Sequence, residues 1–185
     1  MIEYPAIDPI AFQMGPLKIY WYGLSYLLGI GLGWLYLRRY VAVYKPGWSP
    51  GSVDDLVFFV ALGAVFGGRL GYVIFYDLTG YVSDPLLIFA VWKGGMSFHG
   101  GMIGAGIAMW YFSARLKCPL LSVSDFAVPA VPIGLGLGRL ANFVNQELWG
   151  TASELPWAVV FSVPQAEFVS RHPSQIYEAL MEGLI

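Results

Sequence analysis

Charge is what this sequence has least of. Lys, Arg, Asp and Glu together make up 12% of its 185 residues, against the roughly 25% of a soluble domain. A chain so poor in charge, with 57% hydrophobic residues, 17% aromatics and 23 glycines, lacks the polar surface that water requires and reads as a membrane protein. Its mean hydropathy of +0.63 agrees. The net charge of −2 lacks the basic surface that nucleic acid demands, so no nucleic-acid partner is expected. The single cysteine, Cys118, excludes an internal disulfide and any multi-cysteine metal site, and is read as a small residue without a role. Two histidines and scattered carboxylates show no metal-ligand spacing, so no metal is expected. Residues 1–5 lack the basic start of a signal peptide, and no small-residue cleavage site follows the first apolar run, which is expected to stay in the mature protein.

What the chain has instead is a series of long apolar runs. Membrane spans are predicted over about residues 19–39, 56–76, 96–112 and 125–145, with a fifth beginning from 174; a bilayer core takes about 20 residues of helix. Residues 1–18 hold Pro5, Pro9 and Pro16 and read as an irregular or interfacial arm. Tyr20, Trp21 and Tyr22 mark the start of the first span as an aromatic belt does. Ser52 or Asp54 is expected to cap the second, in which Gly63, Gly67 and Gly71 form overlapping small-xxx-small motifs for a close neighbour helix. Residues 86–92 are apolar but too few to cross, and read as a re-entrant or interfacial segment. Pro129 and Pro132 are expected to bend the fourth span. The basic residues Arg38, Arg39, Lys45, Arg115 and Lys117 fall in the loops after spans one and three, which places those loops in the cytoplasm and residues 147–171 outside. The fold class is therefore an all-α polytopic membrane protein: one transmembrane domain, 1–185, forming a helical bundle with a re-entrant or interfacial segment. Residues 147–171 make a small extramembrane subdomain with a short strand within 157–163. An apolar helix that stops at Ile185, after about three turns, reads as a truncated sequence.

Ionisable residues inside spans are costly and are functional candidates by default. Arg69 has three readings: it holds a substrate phosphate, it pairs with an acid such as Asp125, or it snorkels to the interface. Arg139 is the stronger candidate. On a continuous helix Arg139, Asn142 and Gln146 share one face, offering a fixed charge and two amides at the end of a span, and a guanidinium suits bidentate phosphate recognition. The plain alternative is an ion pair from Arg139 to Glu147 or to another helix. His99 stands in Gly94-Gly95-Met96-Ser97-Phe98-His99-Gly100-Gly101, near a helix start where an anion is favoured; it is read as a base or a cationic phosphate partner, against an ordinary hydrogen-bonded histidine. His172, followed by Pro173, reads as the start of a helix. Tyr22 and Tyr26 sit at i and i+4, as a belt or as hydroxyls facing a cavity.

The run Gly138-Arg139-x-Ala141-Asn142-Phe143-x-Asn145-x-Glu147-x-x-Gly150 resembles the signature of the phosphatidylglycerol–prolipoprotein diacylglyceryl transferases. Trp21-Tyr22-Gly23-Leu24, the glycine-rich run around His99 and Arg171-His172-Pro173-Ser174-Gln175-Ile176-Tyr177-Glu178 are similar to further stretches of the same family. The resemblance implies a multi-pass enzyme of the bacterial inner membrane, with residues 147–171 in the periplasm. It implies transfer of the diacylglyceryl group of phosphatidylglycerol to the lipobox cysteine of a prolipoprotein signal peptide, forming a thioether and releasing glycerol phosphate, with no cofactor. It places catalysis on Tyr22, His99 and Arg139, and substrate binding on Arg139, Asn142, Glu147, Gly150 and His172. Family members have further C-terminal spans, with a functional arginine and tyrosine, that this sequence does not supply. The competing class is a transporter or lipid-binding membrane protein with intramembrane arginines, for which internal repeats are expected and none is seen.

Overall fold

The computed structural model describes residues 1–15, 17–44, 47–90 and 94–183. The sequence readings that use Pro16, Lys45, Trp92, Lys93 and Ile185 lie outside the described residues. The described residues are mostly helical, with five short strands among them that an all-α reading omits.

Local chemistry sets most of the helix ends. Helix α1 (Trp21–Tyr44) begins where strand β3 (Leu17–Tyr20) stops. Helix α2 (Pro50–Tyr76) starts six residues ahead of the predicted span. The reason is its cap: Ser49, not Ser52 or Asp54, accepts the backbone N–H of Ser52, at 3.1 Å, and Pro50 takes the first helical position, where no N–H is needed. Asp54 pairs with Arg38 at 3.4 Å instead. After α3 (Leu78–Ser83) and a 3-10 turn at Pro85–Phe89, helix α4 (Phe98–Leu116) is capped by Ser97, which accepts the Gly100 N–H at 3.3 Å. Pro129 and Pro132 divide the fourth run into α5 (Leu120–Ala127), a 3-10 turn at Val128–Ala130 and α6 (Val131–Val144). Helix α7 spans Ser174–Gly183.

Among the described residues two helical stretches, 50–76 and 120–144, are long and apolar enough to cross a bilayer, and their most apolar windows are only 22% and 17% buried. The core helix of a water-soluble protein would be covered. Here Leu27, Phe75, Ile103 and Trp110 are among the large side chains left exposed, while Arg69, Ser97, Asn142 and Gln175 are buried. Apolar outside and polar inside is the arrangement that suits lipid as solvent. Helices α1 and α4, of 24 and 19 residues, occupy the first and third predicted spans.

The chain divides into two compact units, residues 37–128 and residues 1–36 with 129–185. In the first, α2 packs along α4 on a seam of glycines. A Cβ on Gly63 would lie 2.5 Å from the Gly104 carbonyl oxygen, one on Gly67 would collide with the Gly100 carbonyl, and one on Gly71 would lie 2.8 Å from the Gly100 Cα. The small-residue stripe read in the sequence therefore finds its partner in α4, where bare backbones meet and dispersion takes over from the missing hydrophobic drive. At one end of this unit Leu37, Val41, Val53, Leu56, Phe112, Val123 and Phe126 form a buried core, with the Trp48 ring 5.1 Å from Phe126 and 5.7 Å from Phe112.

In the second unit the N-terminal arm is ordered. Strand β1 (Ile2–Glu3) pairs in parallel with β4 (Val159–Val160), which pairs antiparallel with β5 (Ser170–Arg171); β2 (Ile10–Met14) and β3 form a hairpin. The arm is thus not irregular: residues 10–14 pair locally with residues 17–20, while residues 2–4 pair with residues 158–160, more than a hundred positions away, which no local pattern announces. Tyr4, Val159, Phe161 and Ala166 make a buried cluster against Phe143 and Trp149. The Tyr4 hydroxyl donates to the Val144 carbonyl at 2.9 Å, which ties the arm to the end of α6; burial pushes that hydroxyl above the usual tyrosine range. Helix α6 meets α1 where Gly29 faces Gly134 and meets α7 where Gly136 faces Gly183.

Candidate active site

The end of α6 gathers most of the polar residues singled out in the sequence. Arg139, on its third turn, is held by two carboxylates of α7. Its Nε donates to Glu182 Oε2 at 3.0 Å and its Nη2 to Oε1 at 3.4 Å, while Nη1 lies 2.9 Å from Glu178 Oε2. The hydrogen bonds to Glu182 take two of the five guanidinium N–H groups, and Glu178 adds an ion pair. The partner is another helix and not Glu147. Nothing in the first reading assigned a role to Glu178 or Glu182, although two acids at i and i+4 on one helix face were a signal for a cation facing them.

One turn further on, Asn142 is buried and donates to Glu147 Oε1 at 2.8 Å; Asn145 donates to the same oxygen at 3.3 Å. Gln146 does not continue the Arg139 face. Helix α6 ends at Val144, Gln146 turns to a positive φ of 55°, and its side-chain oxygen accepts the Ser162 N–H at 2.7 Å. Leu148 also has a positive φ, of 58°. Two non-glycine residues in the left-handed region within three positions are a local cost. The turn is held in that shape by Glu147 N–H donating to the Asn142 carbonyl at 3.0 Å and by Gln175 Nε2 donating to the Glu147 carbonyl at 2.6 Å. The Glu147 carboxylate is thereby presented beside the Asn142 amide.

Gly150 and His172 complete the wall. The Gly150 N–H donates to the His172 carbonyl at 2.9 Å, and a Cβ at Gly150 would run into Ser174 Oγ and stand 2.9 Å from the His172 Cβ. His172 Nδ1 and the Tyr177 hydroxyl are 3.2 Å apart, and that hydroxyl accepts Trp157 Nε1–H at 2.8 Å. Arg171 Nε donates to the Ala166 carbonyl at 3.0 Å and Nη2 pairs with Glu167 at 2.9 Å, which fixes the loop behind Gly150. From α1, the Tyr22 hydroxyl lies 3.3 Å from that of Tyr26, and Tyr22 stands within electrostatic reach of Asn142, Glu147 and Arg139. An apolar groove of about 140 Å³, lined by Trp21, Leu24, Leu28, Leu137, Leu140 and Val144 among others, runs between α1 and α6.

Tyr22, Arg139, Asn142, Glu147, Gly150 and His172 thus stand in one unit. His99 belongs to the other, exposed on the first turn of α4 beside Phe98. Arg69 is there too, and none of its three readings holds: its hydrogen-bond partners are the backbone carbonyls of Leu87, Ile88, Ala90, Gly94 and Gly95, among the described residues no acid pairs with it, and it is 3% exposed. Among the described residues no three His, Cys, Asp or Glu side chains converge as a metal site would require.

A mostly helical chain, apolar outside, with an arginine, amides and carboxylates gathered at the end of a helix apolar enough to cross a bilayer, has the make-up of a membrane protein. The family model for prolipoprotein diacylglyceryl transferase matches residues 9–185. The phosphatidylglycerol–prolipoprotein diacylglyceryl transferase of Pseudomonas paraeruginosa is 53% identical over 184 residues, which cover 100% of this chain and 68% of that protein. Those of Azotobacter vinelandii and Pseudomonas fluorescens are 54% and 52% identical over 185 residues, each with 69% of its length covered. The chain belongs to the prolipoprotein diacylglyceryl transferase family, and is a transferase of the lipoprotein-biosynthesis class.

Proposed function

We propose that this chain carries the diacylglyceryl group of phosphatidylglycerol to the lipobox cysteine of a prolipoprotein, at the outer face of a bacterial inner membrane that it crosses several times. One observation carries the site assignment: six signature residues, spread from Tyr22 to His172, gather around the end of α6. The cysteine sulfur attacks the glyceryl carbon, a C–S bond forms, and the C–O bond to phosphate breaks with its electron pair on the departing oxygen. Glycerol phosphate leaves, and the thiol proton passes to a base. No cofactor is required, because the phosphodiester is already a leaving group.

The residues take roles suited to that chemistry. Charge gathers on the leaving phosphate, so fixed N–H donors lower the barrier. Arg139 supplies them with the N–H groups that Glu178 and Glu182 leave over, and Asn142 holds the phosphate or its glycerol. Glu147 orients Asn142 and accepts a head-group hydroxyl. Gly150 lets the backbone approach closely, His172 lines the wall, and Tyr22 positions the lipid. His99 takes the thiol proton or holds phosphate. Residues 147–171 form a periplasmic subdomain over the site.

The test is transfer of labelled phosphatidylglycerol from vesicles to a lipobox peptide. Arg139→Ala is expected to lower kcat/KM by about 100-fold or more, as loss of a charged donor to a developing anion does. Wild-type-like transfer in that variant would sink the phosphate role, and lipid flux without any thioether product would favour a transporter.

A further inference from the structure

Arg69 is a buried cation that the proposed reaction leaves unused. It sits on α2, 3% exposed, and among the described residues no carboxylate pairs with it. All five of its N–H groups have backbone carbonyls as partners: Nε donates to Ile88 at 2.9 Å, Nη1 to Gly94 and to Gly95 at 3.0 Å, and Nη2 to Leu87 at 2.6 Å and Ala90 at 3.1 Å. The Tyr81 ring lies 5.1 Å from its Cζ. A phosphate ligand needs free donors, and here none is left.

A charge buried without a counter-charge is costly, so the fold must gain something from it. What it gains is a fixed position for the end of the Pro85–Phe89 turn and for Gly94 and Gly95 ahead of α4. Gly94 and Gly95, at φ of +80° and +82°, turn the chain so that both carbonyls point at the guanidinium. Two residues on, the Ser97 N–H donates to the carbonyl of Gly68, the neighbour of Arg69, at 2.9 Å. Ser97 then caps α4, and His99 is the second residue of that helix. Adjacent residues of α2 therefore pin the chain on both sides of Met96 and set where α4 begins.

We propose that Arg69 is a positioning residue for His99: its carbonyl cage fixes Leu87, Ile88, Ala90, Gly94 and Gly95 and, with Gly68 holding Ser97, sets the imidazole in place. This rests on the reading that His99 serves the transfer reaction. A lysine keeps the charge but donates from a single nitrogen, which cannot span carbonyls from Leu87 to Gly95.

The experiment compares full-chain Arg69→Lys, His99→Gln and the double variant, using phosphatidylglycerol vesicles and a lipobox peptide. Displacing a reacting group by an ångström costs about 10- to 100-fold, so Arg69→Lys is expected to lower kcat at least tenfold with little change in KM for lipid. In the His99→Gln background it should cause no further loss. Histidine-selective ¹⁵N NMR supplies a readout that does not depend on activity. The chain has two histidines, and the His99 signal should move in Arg69→Lys while that of His172 stays. Unchanged kcat, equal losses in both backgrounds, or an unmoved His99 signal overturns the proposal. Wild-type transfer by His99→Gln overturns the reading of His99 itself, and the positioning role with it. If Arg69→Lys does not fold, Tyr81→Leu, which removes the ring over the guanidinium and spares its donors, enters the same comparison with the same outcomes.

Discussion

Arg139 was legible as a functional candidate on an apolar helix; the residues that hold it were not. The sequence offered an ion pair to Glu147 or to another helix, and the second holds: Glu147 is taken by two amides, and the guanidinium faces Glu178 and Glu182 of α7, which the sequence did not single out. A cation held by two carboxylates is not a strong anion trap, so under the proposed function the glutamates act as a frame that fixes the orientation of the guanidinium, and the phosphate would bind the edge they leave. Glu182→Gln, which loses the charge of the two-contact partner, is expected to lower kcat/KM about tenfold through misorientation, since charge-assisted contacts are roughly twice as strong as neutral ones. Steady-state transfer kinetics read this, and a rise in kcat/KM would show that the glutamate merely competes with phosphate. Gly150 makes a simpler claim. Its missing Cβ is the space occupied by Ser174 and His172, so Gly150→Ala should lower the apparent Tm in detergent by about 5–10 °C, as overpacking by 1–3 kcal/mol does. It should also cost activity by displacing His172. A melting curve equal to that of the parent would show that the loop gives way freely.

At the level of elements, the helices were the legible part, because apolar runs and aromatic borders are written locally. The second span announced its glycine stripe, and α4 carries the complementary one. Gly67→Val is therefore expected to collapse the α2–α4 seam, since its side chain would enter the Gly100 carbonyl, with little folded protein recovered in size-exclusion chromatography. Gly106, also on α4, has nothing within 4 Å of a Cβ, and Gly106→Ala should behave as the parent does. Equal tolerance at both positions would refute the seam. What the sequence hid were elements whose partners are remote or are backbone. Strand β1 pairs with β4 across more than 150 residues, and its two residues have no alternation to read. The cage around Arg69 is made of carbonyls, which every residue has, so no residue type marks it. Ser49 was passed over as a cap because the apolar periodicity starts later, although Pro50 behind it was the stronger boundary signal.

For the whole molecule, the question is which side of the membrane holds the end of α6. A prolipoprotein cysteine that has been exported can reach the site only from outside, so the reaction and the orientation stand or fall together. The positive-inside rule puts Arg38, Arg39, Arg115 and Lys117 in the cytoplasm and residues 147–171 opposite. The chain carries its own reporter, because its one cysteine, Cys118, is partly exposed and directly follows Lys117. A membrane-impermeant maleimide added to intact spheroplasts should leave Cys118 unlabelled and should label it once the membrane is opened. In a Cys118→Ser background, Glu154→Cys places a thiol at an exposed position of the 147–171 segment, and it should label from outside without permeabilisation. The two thiols answer in opposite senses, so poor reactivity at one cannot imitate the expected pattern. The inverted pattern would put the Arg139–Asn142–Glu147 cluster on the cytoplasmic side, beyond the reach of an exported thiol, and would remove the transfer reaction from this site whatever the activity of the variants.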